Sequence, residues 1–228
     1  MAAALALSML ASSGCGSMNN NGKGALIGGG GGTALGAGLG ALIGGGKGAG
    51  IGAAIGAAVG TGAGALIGRK MDKQKKELEE QLANSAEVST VKDQNGLEAI
   101  KVTFNGGILF PTNGTTLSSS AKADLTRFAT SLIQNPQTNV QIFGFTDNIG
   151  SMQVNQRVSD GRADAVQTYL VNSGVAANRI TAQGLPMTDY IAPNTTPEGR
   201  AQNRRVEIYI TADKSMIQAA ENGTLAVN

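Results

Sequence analysis

An arginine set among apolar helix positions constrains this chain more than any other feature. Val140, Ile142 and the run Phe143-Gly144-Phe145 read as a strand. Asp147-Asn148-Ile149-Gly150 carries a turn signal, and a helical pattern begins near Val154. Its apolar stripe is Val154, Val158, Ala165, Val166, Tyr169 and Leu170. Arg162 stands on that stripe, four residues after Val158 and four before Val166. A guanidinium keeps its proton, so an inward one needs an anion or a route to water. Asp147, on the turn leading into the helix, is the nearest carboxylate expected to reach it. Asn155, seven residues before Arg162, points roughly the same way.

A carboxylate and a guanidinium held at a strand end suit a zwitterion. The acid takes an ammonium, and the fork takes a carboxylate through two parallel bonds. From these residues alone a purely structural ion pair is the favoured reading, because ion-pair networks also put charges in such places.

Further residues separate the two readings. Thr146-Asp147-x-x-Gly150, Asn155, Ser159-x-x-Arg162-Ala163, Gly199-Arg200 and Asn203-Arg204-Arg205-Val206-Glu207 stand in the order and approximate spacing of the OmpA-like peptidoglycan-binding domain. The resemblance covers about Ile100 to Thr211. It implies binding of the peptidoglycan stem peptide at diaminopimelate, whose side chain ends in an ammonium and a carboxylate on one carbon. In the implied site Asp147 takes the ammonium and Arg162 the carboxylate, and Asn155 and one arginine of the 204–205 pair complete the ring. The motif does not say which arginine turns inward. Val206 is expected to face the core, so alternation puts Arg204 on the same face.

Aromatic content is only 4%, with no Trp, so the core must be mostly aliphatic. Net charge is +2, which gives no case for nucleic acid. With no His and one Cys, zinc sites and thiol–imidazole catalysis lack their groups. No nucleophile–base pair stands out, and no cofactor is implied. The expectation is a protein that is not an enzyme. An acid pair of Asp147 with Asp160 or Asp164 is set aside, because the last two fall off the inward stripe.

That one cysteine, Cys15, follows the apolar run Ala2–Leu10 and the small residues Ala11-Ser12-Ser13-Gly14. This resembles a bacterial lipoprotein signal. It implies removal of residues 1–14, lipidation of Cys15 and a short tether over 15–23. The other reading is an ordinary cleaved signal with an incidental cysteine. A lone thiol in an exported chain has no disulfide partner, which favours lipidation.

From Gly24 to Gly68 every fourth residue is glycine, and Gly-Ala-Leu-Ile-Gly recurs at 24–28, 40–44 and 64–68. Glycine weakens an exposed helix by about 1 kcal/mol relative to alanine. Such a row suits places where helix backbones approach closely. The block resembles the glycine-zipper segments of bacterial envelope proteins. Residues 24–68 are expected to form a helical hairpin, Thr33–Ile43 and Gly48–Ile67, that meets membrane lipid or a second copy of the chain. A flexible Gly-rich linker is the alternative. Residues 69–84 follow as a charged helical linker, read as a solvated spacer.

The remaining elements lie in 85–212. Val88–Lys92 and Leu97–Phe104 read as a hairpin about Asp93-Gln94-Asn95-Gly96. Gly106–Phe110 leads into a loop. Ser118–Gln134 is an amphipathic helix whose core face is Leu125, Phe128, Ala129, Leu132 and Ile133. The helix that carries Arg162 ends at Gly174. Arg179–Gln183 and Val206–Ile210 read as strands, with a loop Gly184–Pro197 before the latter. The expected fold is α+β, a mixed sheet with helices on one face. Residues 213–228 read as a weakly ordered tail.

Two functions follow. One is a non-catalytic lipoprotein on the periplasmic side of the outer membrane, anchoring it to the wall. The other is a glycine-zipper self-assembling or pore-forming envelope protein that its wall-binding domain only localises.

Overall fold

The computed structural model describes residues 61–93, 95–111 and 114–227. The signal, Cys15 with its tether, and the zipper hairpin up to residue 60 lie outside the described residues. Helices α1 (Thr61–Leu82), α2 (Gly106–Leu109), α3 (Ser119–Gln134), α4 (Met152–Asn172), α5 (Pro197–Asn203) and α6 (Lys214–Glu221) alternate with five strands. These are β1 (Ala86–Lys92), β2 (Glu98–Asn105), β3 (Thr138–Phe145), β4 (Ile180–Leu185) and β5 (Arg205–Ala212). Among the described residues, no helix is long and apolar enough to cross a membrane.

The strands form one sheet in the order β1-β2-β5-β3-β4. All pairings are antiparallel except β3 with β4. That parallel pair needs a crossover, which α4 supplies. Register stacks the apolar alternation on one face: Ile100 opposite Ile210, Val102 opposite Ile208 and Phe104 opposite Val206. Leu125, Phe128 and Leu132 of α3, with Val166 and Leu170 of α4, cover that face. The mixed α+β architecture matches the expectation.

The hairpin turn is set by Asp93, whose Oδ1 accepts from the backbone of Asn95 and Leu97. Ser118 caps α3 through a bond from Ala121 N. The end of α4 is a left-handed Gly174 at φ 101°, with Val175 N returning to Leu170 O.

Several expectations need correction. Residues 69–84 are no solvated spacer. Most of them belong to α1, whose stripe Ile67, Met71, Gln74, Leu78 and Leu82 is buried with the sheet's own core. The charged residues between these positions mask a period that places one buried residue on each turn. Residues 61–68 are continuous with 69–82 in this helix, and the expected arm before residue 61 lies outside the described residues. The tail is also ordered in part. Asp213 caps α6, and Met216, Ile217, Ala220 and Leu225 join the core. Gly106–Leu109 makes one helical turn capped by Asn105 where a loop was expected. Ile133 points outward, 48% exposed. The strand expected from Arg179 starts at Ile180, and Arg179 instead donates to the carbonyls of Leu132, Asn135 and Thr138 at the end of α3. Three backbone carbonyls, the Thr138 hydroxyl and one long cation are therefore satisfied at a single corner.

Two glycines set how close α4 lies to the sheet. Gly144 and Gly184 are register partners on β3 and β4. A Cβ on Gly144 would come within 2.3 Å of Ser159 O, and one on Gly184 within 2.4 Å of Asp160 N. The helix backbone rests directly on the sheet at this point, so only small or polar groups fit beneath it.

Candidate functional site

That close approach shifts the inward face of α4. The expected positions Val154 and Val158 do not face the core. Val154 is 44% exposed, and the buried positions are Asn155, Ser159, Arg162, Ala163, Val166 and Leu170. The first two turns of α4 therefore bury a polar stripe, which leads straight to Arg162. Arg162 itself is 3% exposed, as the sequence expected.

Its partners differ from the expectation. Arg162 Nε donates to Gly114 O at 3.1 Å, and the guanidinium lies 5.3 Å from the centre of the Phe110 ring. Among the described residues it forms no salt bridge with a carboxylate, and its Nη groups have no hydrogen-bond acceptor. Burial lowers its pKa, and the like charge of Arg204 lowers it further; Asp147 acts in the opposite direction. A desolvated cation with spare donors is a strong acceptor site for an anion.

Asp147 pairs with Arg204 instead, Nη1 to Oδ2 at 2.6 Å. Its Oδ1 accepts from Ile149 N at 3.0 Å, which fixes the turn. The physical reason is reach. Asp147 sits at the end of β3, beside β5, where Arg204 enters the sheet, and Arg204 is long enough to cross. Tyr190 feels the same carboxylate: its hydroxyl pKa is raised by burial first and then by the Asp147 charge. The sequence held no signal for Tyr190, because the loop that brings it has no periodicity.

Asn155 is buried at the site, but its amide is already used. Nδ2 donates to Ile149 O at 2.8 Å and to Ser151 O at 3.2 Å. It holds the turn around Asp147 and leaves Oδ1 as its only group without a donor among the described residues.

The adjacent arginines part ways. Arg204 turns toward Asp147, as the alternation from Val206 anticipated. Arg205 turns to the opposite face of the sheet and is 3% exposed. There its Nε donates to Glu207 Oε1 at 2.6 Å, its Nη2 to Asp189 O at 3.0 Å, and its guanidinium stacks 3.8 Å above the Phe145 ring. Tyr209 also donates to Glu207 at 2.6 Å, and Lys101 lies 3.6 Å away. Burial alone would raise the Glu207 carboxyl. Arg205 and Lys101, with hydrogen bonds from Tyr209 and Arg205, outweigh it and hold the group below its ordinary value.

The other motif residues are scaffolding. Asn203 is fully buried; its Oδ1 accepts from Ile191 N and Ala192 N, and its amide donates to Ala192 O and Asn194 Oδ1. Gly199 must be glycine-sized, because a Cβ there would lie 2.0 Å from Pro193 O. Together they pin the loop that carries Tyr190.

This arrangement of β3, turn, polar-faced α4 and the Asn203–Glu207 strand entry matches known proteins. Residues 109–204 match the model of the OmpA family. Over these residues the chain is similar to OmpA family domains. Residues 31–75 match a second model, described as glycine zipper. The chain is 37% identical over 144 residues to probable lipoprotein YiaD of Escherichia coli, covering 63% of this chain and 64% of that one. It is 44% identical over 112 residues to peptidoglycan-binding protein ArfA of Mycobacterium tuberculosis, covering 49% and 34%. The match thus spans less than two thirds of either relative. A crystal structure of a MotB-like protein from Desulfovibrio vulgaris superposes with TM-score 0.56 at 27% identity, covering 66% of this chain and 96% of that one. Other relatives are outer membrane proteins by name. The OmpA domain as matched begins at Leu109, whereas the core here includes α1, β1 and β2 before it.

Proposed function

We propose that this chain is a non-catalytic envelope anchor whose OmpA domain binds peptidoglycan at the diaminopimelate of the stem peptide. The observation that carries this reading is Arg162. A buried guanidinium with spare Nη donors, close to an acid, suits a ligand that supplies a carboxylate and an ammonium on one carbon. The ligand carboxylate would take the Arg162 fork. Its ammonium would take Asp147, and Arg204, 39% exposed, would swing from Asp147 toward the ligand carboxylate. Asn155 serves by holding the Asp147 turn. The similarity to ArfA, a peptidoglycan-binding protein, supports the same reading.

We further propose that residues 1–14 are removed and that Cys15 is lipidated, which places the chain on the periplasmic side of the outer membrane. The description of YiaD as a probable lipoprotein supports this. Several acyl chains on one cysteine anchor firmly, whereas one anchors weakly. The match to a glycine-zipper model supports close helix contact in residues 31–75, with membrane lipid or a second copy of the chain. Gly52→Leu with Gly56→Leu is expected to reduce crosslinked oligomers without reducing wall binding.

The deciding experiment is co-sedimentation of the full-length chain in detergent with purified sacculi of two kinds. Sacculi with diaminopimelate in the stem peptide are expected to retain the protein. Sacculi with lysine at that position, which lack the side-chain carboxylate, are not. Equal retention on both would refute the diaminopimelate reading.

A further inference from the structure

A groove lies away from the Arg162 site, along the free edge of the sheet. It measures about 980 Å3 and runs between α4 and β4. Among the described residues, strand β4 pairs only with β3, and its other edge has no strand partner. Two side chains of α4 reach that edge. Asp160 Oδ1 accepts from Gly184 N at 2.9 Å, and Gln167 Nε2 donates to Ile180 O at 3.1 Å. The pleat repeats every two residues, so Ala182 turns its N–H and C=O to the same side as Ile180 and Gly184. Neither group of Ala182 has a hydrogen-bond partner from that side among the described residues. The two ends of the edge are closed, and the middle is open over the groove.

The groove is also charged. Gln156, Asp160, Asp164 and Gln167 fall on one side of α4 and line it, and no lysine or arginine does. Asp160 is held by Gly184 N and Gln156 Nε2, both neutral donors. Asp164 is exposed and forms no salt bridge among the described residues. Two negative charges therefore stand uncompensated beside an open backbone pair.

We propose that the β4 edge docks an extended, basic segment of another protein, which pairs with Ala182 and places a lysine or arginine against Asp160 and Asp164. One residue of the incoming segment exchanges both N–H···O bonds with Ala182, as in a hydrogen-bonded antiparallel pair. A second copy of this chain does not fit, because β4 against β4 would set acids against acids. The site is separate from the Arg162 site and does not depend on the peptidoglycan reading.

The test uses the full-length chain and a fluorescein-labelled, C-terminally amidated peptide Thr-Lys-Val-Lys-Thr, read by fluorescence anisotropy. Saturable binding is expected. Glutamate in place of both lysines should weaken it at least tenfold. N-methylation of the central three residues, which removes strand donors and keeps the charge, should do the same. Asp164→Lys should weaken it about tenfold with unchanged melting temperature, because Asp164 forms no hydrogen bond in the fold. Asp147→Ala should bind the peptide normally. No saturable binding, equal binding of the N-methylated peptide, or equal binding to Asp164→Lys would each overturn the proposal.

Discussion

Arg204 and Arg205 are neighbours in the chain and opposites in the fold. Arg205 is fully buried, bonded through Nε to Glu207, stacked on Phe145 and bonded to the Asp189 carbonyl. Its cluster is closed, with Tyr209 and Lys101 also turned to Glu207. Arg204 is partly exposed, holds Asp147 through one bond and stands near a second arginine, Arg162, that has no carboxylate of its own. The two clusters have similar composition. They differ in completeness, and completeness separates a structural charge from a functional one. A buried ion pair with every lone pair satisfied adds rigidity to a core. A buried cation with spare donors is held ready for something that the chain does not provide.

The sharpest way to break this contrast is to remove one member of the closed cluster. Arg205→Met leaves Glu207 buried without its main partner and should destabilise the fold by about 3–5 kcal/mol. Urea denaturation checks it. Molecules that remain folded should still bind the wall.

Arg162→Met should do the reverse. It removes a desolvated cation that forms no salt bridge among the described residues, so stability should hold or rise. Loss of binding to a soluble stem peptide should cost about 2–5 kcal/mol. Arg162→Lys should not restore it, because an ammonium cannot reproduce the fork. Titration calorimetry on folded variants measures this, and normal binding by Arg162→Met would make the site structural after all.

A smaller effect is expected at Arg204→Ala. Its pair with Asp147 is partly exposed, so its removal should change stability by less than about 1 kcal/mol. Binding should fall less than for Arg162→Met, since Asp147 is left freer to meet an ammonium while one contact to the carboxylate is lost.

The smallest effect is in the pH response. Glu207 has a folded pKa below its ordinary value of 4.5. Its contribution is therefore present above that value and is lost as pH falls through the lower folded value. Glu207→Gln should lower the melting temperature at neutral pH and flatten its decline in acid. Melting curves between pH 7 and pH 2 show whether the slope changes; an unchanged slope would remove Glu207 from the closed cluster's energetics.

Local patterns were legible from the sequence. Period-two alternation gave β2, β3 and β5. Turn chemistry gave the Asp93 hairpin, and Gly174 marked the end of α4. Each of these depends on residues within a few positions of one another. Arg162 could also be placed inward, since one polar residue on an apolar stripe is a local contradiction. What failed was the phase of that stripe at its start. Gly144 and Gly184 bring the α4 backbone onto the sheet, so Asn155 and Ser159 face inward there and Val154 faces out. No periodicity within the helix reports a glycine on a strand. The buried role of α1 was hidden for a related reason, because its charges outnumber its one buried residue per turn.

The sequence by itself determined β2, β3 and β5, the helices α3 and α4, the inward arginine, and the separation of Arg204 from Arg205 by alternation, because these follow from backbone geometry over a few residues. Only the tertiary structure decided which charges meet. Asp147 could have paired with Arg162 or Arg204, and the outcome depends on how β3 and β5 lie side by side and on a loop carbonyl at Gly114 that takes the Arg162 Nε. Ion pairing is fixed by distance in space and by competing partners, and neither is written in the spacing along the chain.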